Sequence, residues 1–167
     1  MIIERVVVKN YKGLEDTEIT FGPGLNILVG NNETGKSTVL EAINLALTRQ
    51  LNRRDAGYEL HPFLFHQPSV GAFIDALKSG ATPEPVSILI EIYFANDPAL
   101  AKHKGENNSK RSDCPGVRMT IELDERHAAE YREYIADKDR LNTIPVECYH
   151  IDWKDFAGES LTEKEVE

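Results

Sequence analysis

The sequence predicts an α/β fold with an antiparallel β layer, and three observations carry that prediction. A glycine-bounded loop, Gly30-Asn31-Asn32-Glu33-Thr34-Gly35-Lys36-Ser37-Thr38, stands between a short apolar run and a helical pattern. Two strand-like stretches joined by a tight turn precede it. Two further runs, 86–94 and 117–123, follow it and alternate at the two-residue period of strands.

Size and composition bound what such a chain does. Its 167 residues suffice for one domain with a real core and are short for two. The hydrophobic content of 41% and charged content of 28% are ordinary for a globular protein. A net charge of -9 excludes a basic nucleic-acid-binding module by bulk charge, so DNA contact needs a local patch or another part of an assembly. No apolar run approaches the ~20 residues of a membrane span, and the N-terminus lacks a signal-peptide layout. Cys114 and Cys148 have neither metal-site nor redox spacing and read as free thiols of a reducing compartment. A cytoplasmic protein with no membrane partner is expected.

Ile2, Ile3 and Val6 to Val8 make the first strand, and Tyr11-Lys12-Gly13 the turn after it. Thr17, Ile19 and Phe21 alternate along a second strand, which Gly22-Pro23-Gly24 ends. Leu25-Asn26-Ile27-Leu28-Val29 has the look of a short buried strand. The loop that follows fits the P-loop pattern G-x-x-x-x-G-K-[ST]. Gly30 and Gly35 allow a tight turn and close approach of backbone to phosphate oxygens. Successive N–H groups then form an anion nest at the positive end of a helix. In that arrangement Lys36 reaches the β- and γ-phosphates and Ser37 offers its hydroxyl to Mg²⁺. Val39, Ala42, Ile43, Ala46 and Leu47 share one face of the helix that the loop opens. The expected ligand is a nucleotide with its Mg²⁺, with Gly30 through Thr38 as cradle and Lys36 as the stabiliser of phosphate charge.

From Gln50 to Pro85 the pattern weakens. His61 and His66 have no carboxylate or thiolate partners at ligand spacing, so loop packing is expected of them. Val70 to Lys78 reads as a short helix with Phe73, Ile74 and Leu77 on one side. Val86 to Phe94 is the clearest strand, and Val117, Met119, Ile121 and Leu123 alternate on its partner. Between them, 95–116 is polar and is expected to be a long mobile loop. Lys102, Lys104, Lys110 and Arg111 gather there, a candidate contact for DNA phosphates and otherwise a solvated tip. A helix over Glu125 to Lys138 places Ala128, Tyr131 and Ile135 together, and Pro145 opens a last strand through His150.

The stretch Ile3-Glu4-Arg5-Val6-Val7-Val8-Lys9-Asn10-Tyr11-Lys12-Gly13-Leu14, followed by Gly24 through Ile43, resembles the start of an SMC/RecF-like ABC ATPase head. Within that superfamily it is similar to the OLD family of ATP-dependent nucleases. Ile144 to Tyr149 and Trp153 to Gly158 add to that likeness. The resemblance implies an α/β P-loop NTPase of the ABC/SMC-head type with an antiparallel β subdomain. It also implies ATP and Mg²⁺ as ligands, DNA as a partner of the complete protein, and head-to-head homo-oligomers. In similar heads the turn at Lys12 and Gly13 approaches the nucleotide. Asn31 then stands near the γ-phosphate or attacking water, while Glu33 is expected to face solvent.

Such heads also need an apolar strand ending in Asp-Glu and a serine/glycine signature segment. Neither is found. Val146 to Asp152 is a poor substitute for the acidic strand, because Glu147 and His150 interrupt it and Trp153 stands where the glutamate belongs. Asp152 is the first suspect if the acid lies in this chain. Residues 1–167 are therefore expected to be the N-terminal lobe of an ATPase domain in a longer enzyme, without turnover of its own. Three functions remain open at this stage. They are the ATPase part of an OLD-type endonuclease, a repair head that clamps DNA uncut, and a stand-alone nucleotide sensor.

Overall fold

The computed structural model describes residues 1–29 and 35–162. Five strands build an antiparallel sheet in the order β2-β1-β5-β7-β8: β1 is Ile3–Tyr11, β2 Leu14–Thr20, β5 Ile88–Phe94, β7 Cys114–Leu123 and β8 Tyr149–Asp155. The two-residue β6, Lys104–Gly105, pairs with the start of β7, and β3, Gln50–Leu51, pairs with β4, Arg54–Asp55, in a small separate ribbon. The described residues also form three α-helices: α1, Lys36–Thr48; α2, Gln67–Lys78; and α3, Ala128–Ala136. This is the α/β fold with an antiparallel layer that the sequence predicts.

Strand alternation sorts the sheet into two faces. Val6 and Val8, Ile88, Ile90 and Ile92, and Val117, Met119 and Ile121 face the helices and form the main core. Into it α1 turns Val39, Ala42, Leu45 and Ala46, and α2 turns Val70, Phe73, Ile74 and Leu77. The other face holds a small cluster of Val7, Tyr93 and Phe156. Phe156 lies edge-on to Tyr93, with ring centroids 4.8 Å apart. It fits only because β7 has a glycine opposite: a Cβ on Gly116 would stand 2.1 Å from the Phe156 ring.

Four expectations are corrected. Leu25 to Val29 is not a buried strand: Leu25 is 90%, Ile27 73% and Val29 88% exposed, and of this run Leu28 packs against the core. A strand is buried only where neighbours take up its N–H and C=O groups, and no strand among the described residues pairs with it. The loop 95–116 is also more ordered than its polarity suggests. It contains a 3-10 turn over Pro98–His103 and the β6 strand, and buried Asn108 ties it together through Ser112. Ser109 donates to the buried Glu91 carboxylate from both its backbone N (2.8 Å) and its Oγ (2.5 Å). Third, the last strand starts at Tyr149 rather than at Pro145, because Val146–Cys148 curls into a 3-10 turn.

The fourth concerns Asp152. It pairs with Lys154 at 2.9 Å on the outermost long strand. Alternation turns it away from the face on which Trp153 meets α1. Its neighbour Trp153 meets α1 at Ala46, ten residues and about 15 Å along the helix axis from Lys36.

Candidate nucleotide site

Gly35 is the hinge between loop and helix. It adopts φ 78°, ψ 12°, a left-handed conformation that L side chains rarely take, and its carbonyl accepts from Val39 N at 2.9 Å to start α1. Lys36, Ser37 and Thr38 therefore occupy the first helical turn, where N–H groups lack intrahelical partners. No carboxylate stands in that turn, and the positive end of a helix favours an anion. Ser37 is exposed, Lys36 and Thr38 half-buried. The rest of the predicted cradle, Gly30, Asn31, Asn32, Glu33 and Thr34, lies outside the described residues.

The turn between β1 and β2 reaches this junction. Leu14 Cδ2 lies 3.0 Å from where a Gly35 Cβ would stand, so the turn packs directly on the end of the loop. Lys12 takes φ 48°, left-handed for a non-glycine residue, and its N–H donates to Leu64 O at 2.8 Å. Two residues earlier, Asn10 is also left-handed at φ 56°, and its carbonyl accepts from His66 N at 2.8 Å. The segment 64–66 thus clamps the turn from behind, which accounts for His66 as a packing residue. Gly13, at the tip, is exposed with open space around it.

Two residues that the sequence reading left without a role complete the site. Lys12 Nζ pairs with Glu41 Oε1 at 2.5 Å, and the buried Tyr11 hydroxyl donates to the same oxygen. Burial pushes the Glu41 carboxyl up, but the hydrogen bonds from Lys12 and Tyr11 outweigh it and hold it below the usual carboxylate value. Tyr11 is driven far above the ordinary phenol range by burial and by Glu41 beside it. Glu41 follows Ser37 by four residues, one turn along the same helix face. That spacing was visible in the sequence, but the partners of Glu41 come from the end of β1 and the turn after it and could not be.

Other candidates fall away from this centre. Lys110 pairs with Glu18 at 2.5 Å and Lys104 with Asp113 at 3.1 Å, so half of the basic loop cluster is already balanced by carboxylates. Lys102 and Arg111 are exposed. A cleft of about 690 Å³ lies elsewhere, lined by Glu84, Glu122, Asp124, Glu125, Arg126 and His150 among others. Its carboxylates would repel phosphate, and among the described residues no cluster of His, Cys, Asp and Glu is arranged to hold a metal. Cys114 and Cys148 are free thiols. Among the described residues no helix is long and apolar enough to cross a membrane.

The model of a family described as AAA domain matches residues 5–145. The DNA double-strand break repair Rad50 ATPase of Methanopyrus kandleri is 56% identical over 46 residues, 28% of this chain and 5% of that protein. The DNA replication and repair protein RecF of Streptococcus agalactiae serotype V is 39% identical over 124 residues, 74% of this chain and 31% of RecF. The chain thus spans a third or less of the length of these relatives. A solved structure from work on ATP-driven dimerization and DNA-stimulated activation of SMC ATPases aligns over 99% of this chain and 75% of its own, at 19% identity and TM-score 0.47.

Proposed function

The chain belongs to the AAA domain family, and from that premise we propose that it binds Mg-ATP as the N-terminal lobe of an ATPase head in a longer, DNA-acting protein. One observation carries the proposal. Gly35 turns a G-x-x-x-x-G-K-[ST] loop into the carboxylate-free first turn of α1, where Lys36 and Ser37 stand. Lys36 neutralises the β- and γ-phosphate charge, Ser37 Oγ ligates the Mg²⁺ that the nucleotide brings, and the backbone N–H groups of 30–38 hold the remaining oxygens. The exposed row of Leu25, Ile27 and Val29 supports the incomplete-head part of the proposal. It has the composition of a buried strand, and no strand among the described residues pairs with it. Hydrolysis would then need an acidic strand supplied from outside residues 1–162, and a second head to close the site.

The RecF and Rad50 likenesses favour a repair-type head that engages DNA. The narrower OLD-type nuclease form rests on residues 144–149 and 153–158. In the structure Trp153 and Phe156 there are core residues, so packing alone explains them. Thermal unfolding with Mg-ATP tests the proposal. A ligand at ~100 times its Kd stabilises by about 2.7 kcal/mol, which for a domain of this size raises Tm by about 5–10 °C. Ser37→Ala should lose the part of that shift that depends on Mg²⁺. An unchanged wild-type Tm at millimolar Mg-ATP would overturn the proposal.

A further inference from the structure

Glu41 Oε1 takes two donors at once, the Lys12 ammonium and the Tyr11 hydroxyl. The two donors differ in freedom. Tyr11 is fully buried, and the Lys12 main chain is fixed by Leu64 and by its left-handed φ. The Lys12 side chain, by contrast, is 35% exposed. Its ammonium sits on a carboxylate one helical turn, about 6 Å along the axis, below Ser37. A lysine side chain spans that distance, and the turn that carries it already touches Gly35 through Leu14.

We propose that Glu41 is a positioning residue for Lys12: it holds the ammonium before nucleotide binds and yields it to the phosphates of an incoming nucleotide. Carboxylate and polyphosphate compete for one cation. The polyphosphate carries the greater charge and draws the ammonium toward the helix N-terminus. The carboxylate is not orphaned by the exchange, because the Tyr11 hydroxyl stays on Oε1. Tyr11 thus keeps Glu41 in place whether or not Lys12 is on it. The inference rests on the Mg-ATP reading of the site and adds to it a residue that opposes binding.

A calorimetric titration of the chain with Mg-ATP tests it, using Glu41→Gln, Lys12→Met, the double variant and Lys36→Ala. Glutamine keeps an acceptor for Tyr11 but no longer competes for Lys12. Glu41→Gln should therefore bind about three- to ten-fold tighter than wild type. Lys12→Met should bind about three- to ten-fold weaker, and in its background Glu41→Gln should bring no gain. A purely structural Glu41 would instead show weaker binding and a lower Tm in Glu41→Gln. That result, or a gain that persists without Lys12, overturns the inference. Lys12→Met leaves Glu41 untouched, so wild-type affinity in that variant overturns it even if Glu41→Gln does not fold. Binding lost in Lys36→Ala but unchanged in the Lys12 and Glu41 variants removes this inference alone. A wild type that binds no Mg-ATP removes the nucleotide reading and this inference with it.

Discussion

The indole Nε1 of Trp153 donates to the Ala46 carbonyl at 2.7 Å, joining β8 to the last turn of α1. Carbonyls in a last turn have no helical partner, so this bond satisfies an otherwise orphaned acceptor in the core. It also explains why a tryptophan stands where a water-activating glutamate was sought: the position is a strut between the sheet and the phosphate-loop helix. Trp153→Phe should keep an aromatic ring in the core while losing the bond and some packing, at a cost of about 1–3 kcal/mol in urea unfolding. A variant as stable as wild type would show that the bond contributes nothing.

Glu91 is a buried carboxylate that anchors the loop from 105 to 113. It accepts from Tyr93 Oη at 2.8 Å and twice from Ser109, with Arg118 at 3.8 Å. Glu91→Leu strips three donors of their acceptor and leaves Arg118 without its buried partner. Destabilisation of about 2–5 kcal/mol is expected. Hydrogen exchange at the Ser109 amide should accelerate more than at Ile90, and equal acceleration at both would mean that the loop is held by something else.

Gly116→Ala should lower stability by about 1–3 kcal/mol, because the new methyl meets the Phe156 ring and the Ile92 carbonyl at 2.6 Å. Shrinking the ring relieves part of that clash. Phe156→Leu and Gly116→Ala should therefore combine non-additively, with a coupling of at least ~0.5 kcal/mol. Strict additivity in a double-mutant cycle would contradict the contact.

Asp124 sets part of the acid limb. Hydrogen bonds from the Arg126 side chain and backbone hold its carboxyl well below the ordinary range. A depressed folded value means that its contribution is fully present above the unfolded value, about 4, and is lost as the pH falls through that value toward the folded one. The Tm gap between wild type and Asp124→Asn should narrow as the pH drops from about 5 to about 2. A constant gap across that range would rule out the Arg126 pairing as its cause.

The sequence disclosed what local chemistry dictates. The alternation in 86–94 and 117–123 predicts the central strands because one face of each packs into the core with the helices, and Val39, Ala42 and Ala46 predict the buried stripe of α1. It misled where burial depends on distant neighbours. Leu25 to Val29 is apolar enough for a buried strand, yet nothing among the described residues pairs with it. Polarity misled for the loop at 95–116, since Asn108 and Ser109 are polar for the hydrogen bonds they make inside the fold. At the site, the motif revealed Lys36 and Ser37, whereas the link from Lys12 and Tyr11 to Glu41 spans about thirty residues of sequence. No local pattern encodes that.

The central claim is that the loop ending at Gly35 binds Mg-ATP through Lys36. Direct titration of wild type and Lys36→Ala with Mg-ATP, each shown to be folded, tests it most closely. The account predicts saturable one-to-one binding by wild type and loss of binding in Lys36→Ala. Wild type that is folded and does not bind, or Lys36→Ala that binds as tightly, would contradict it.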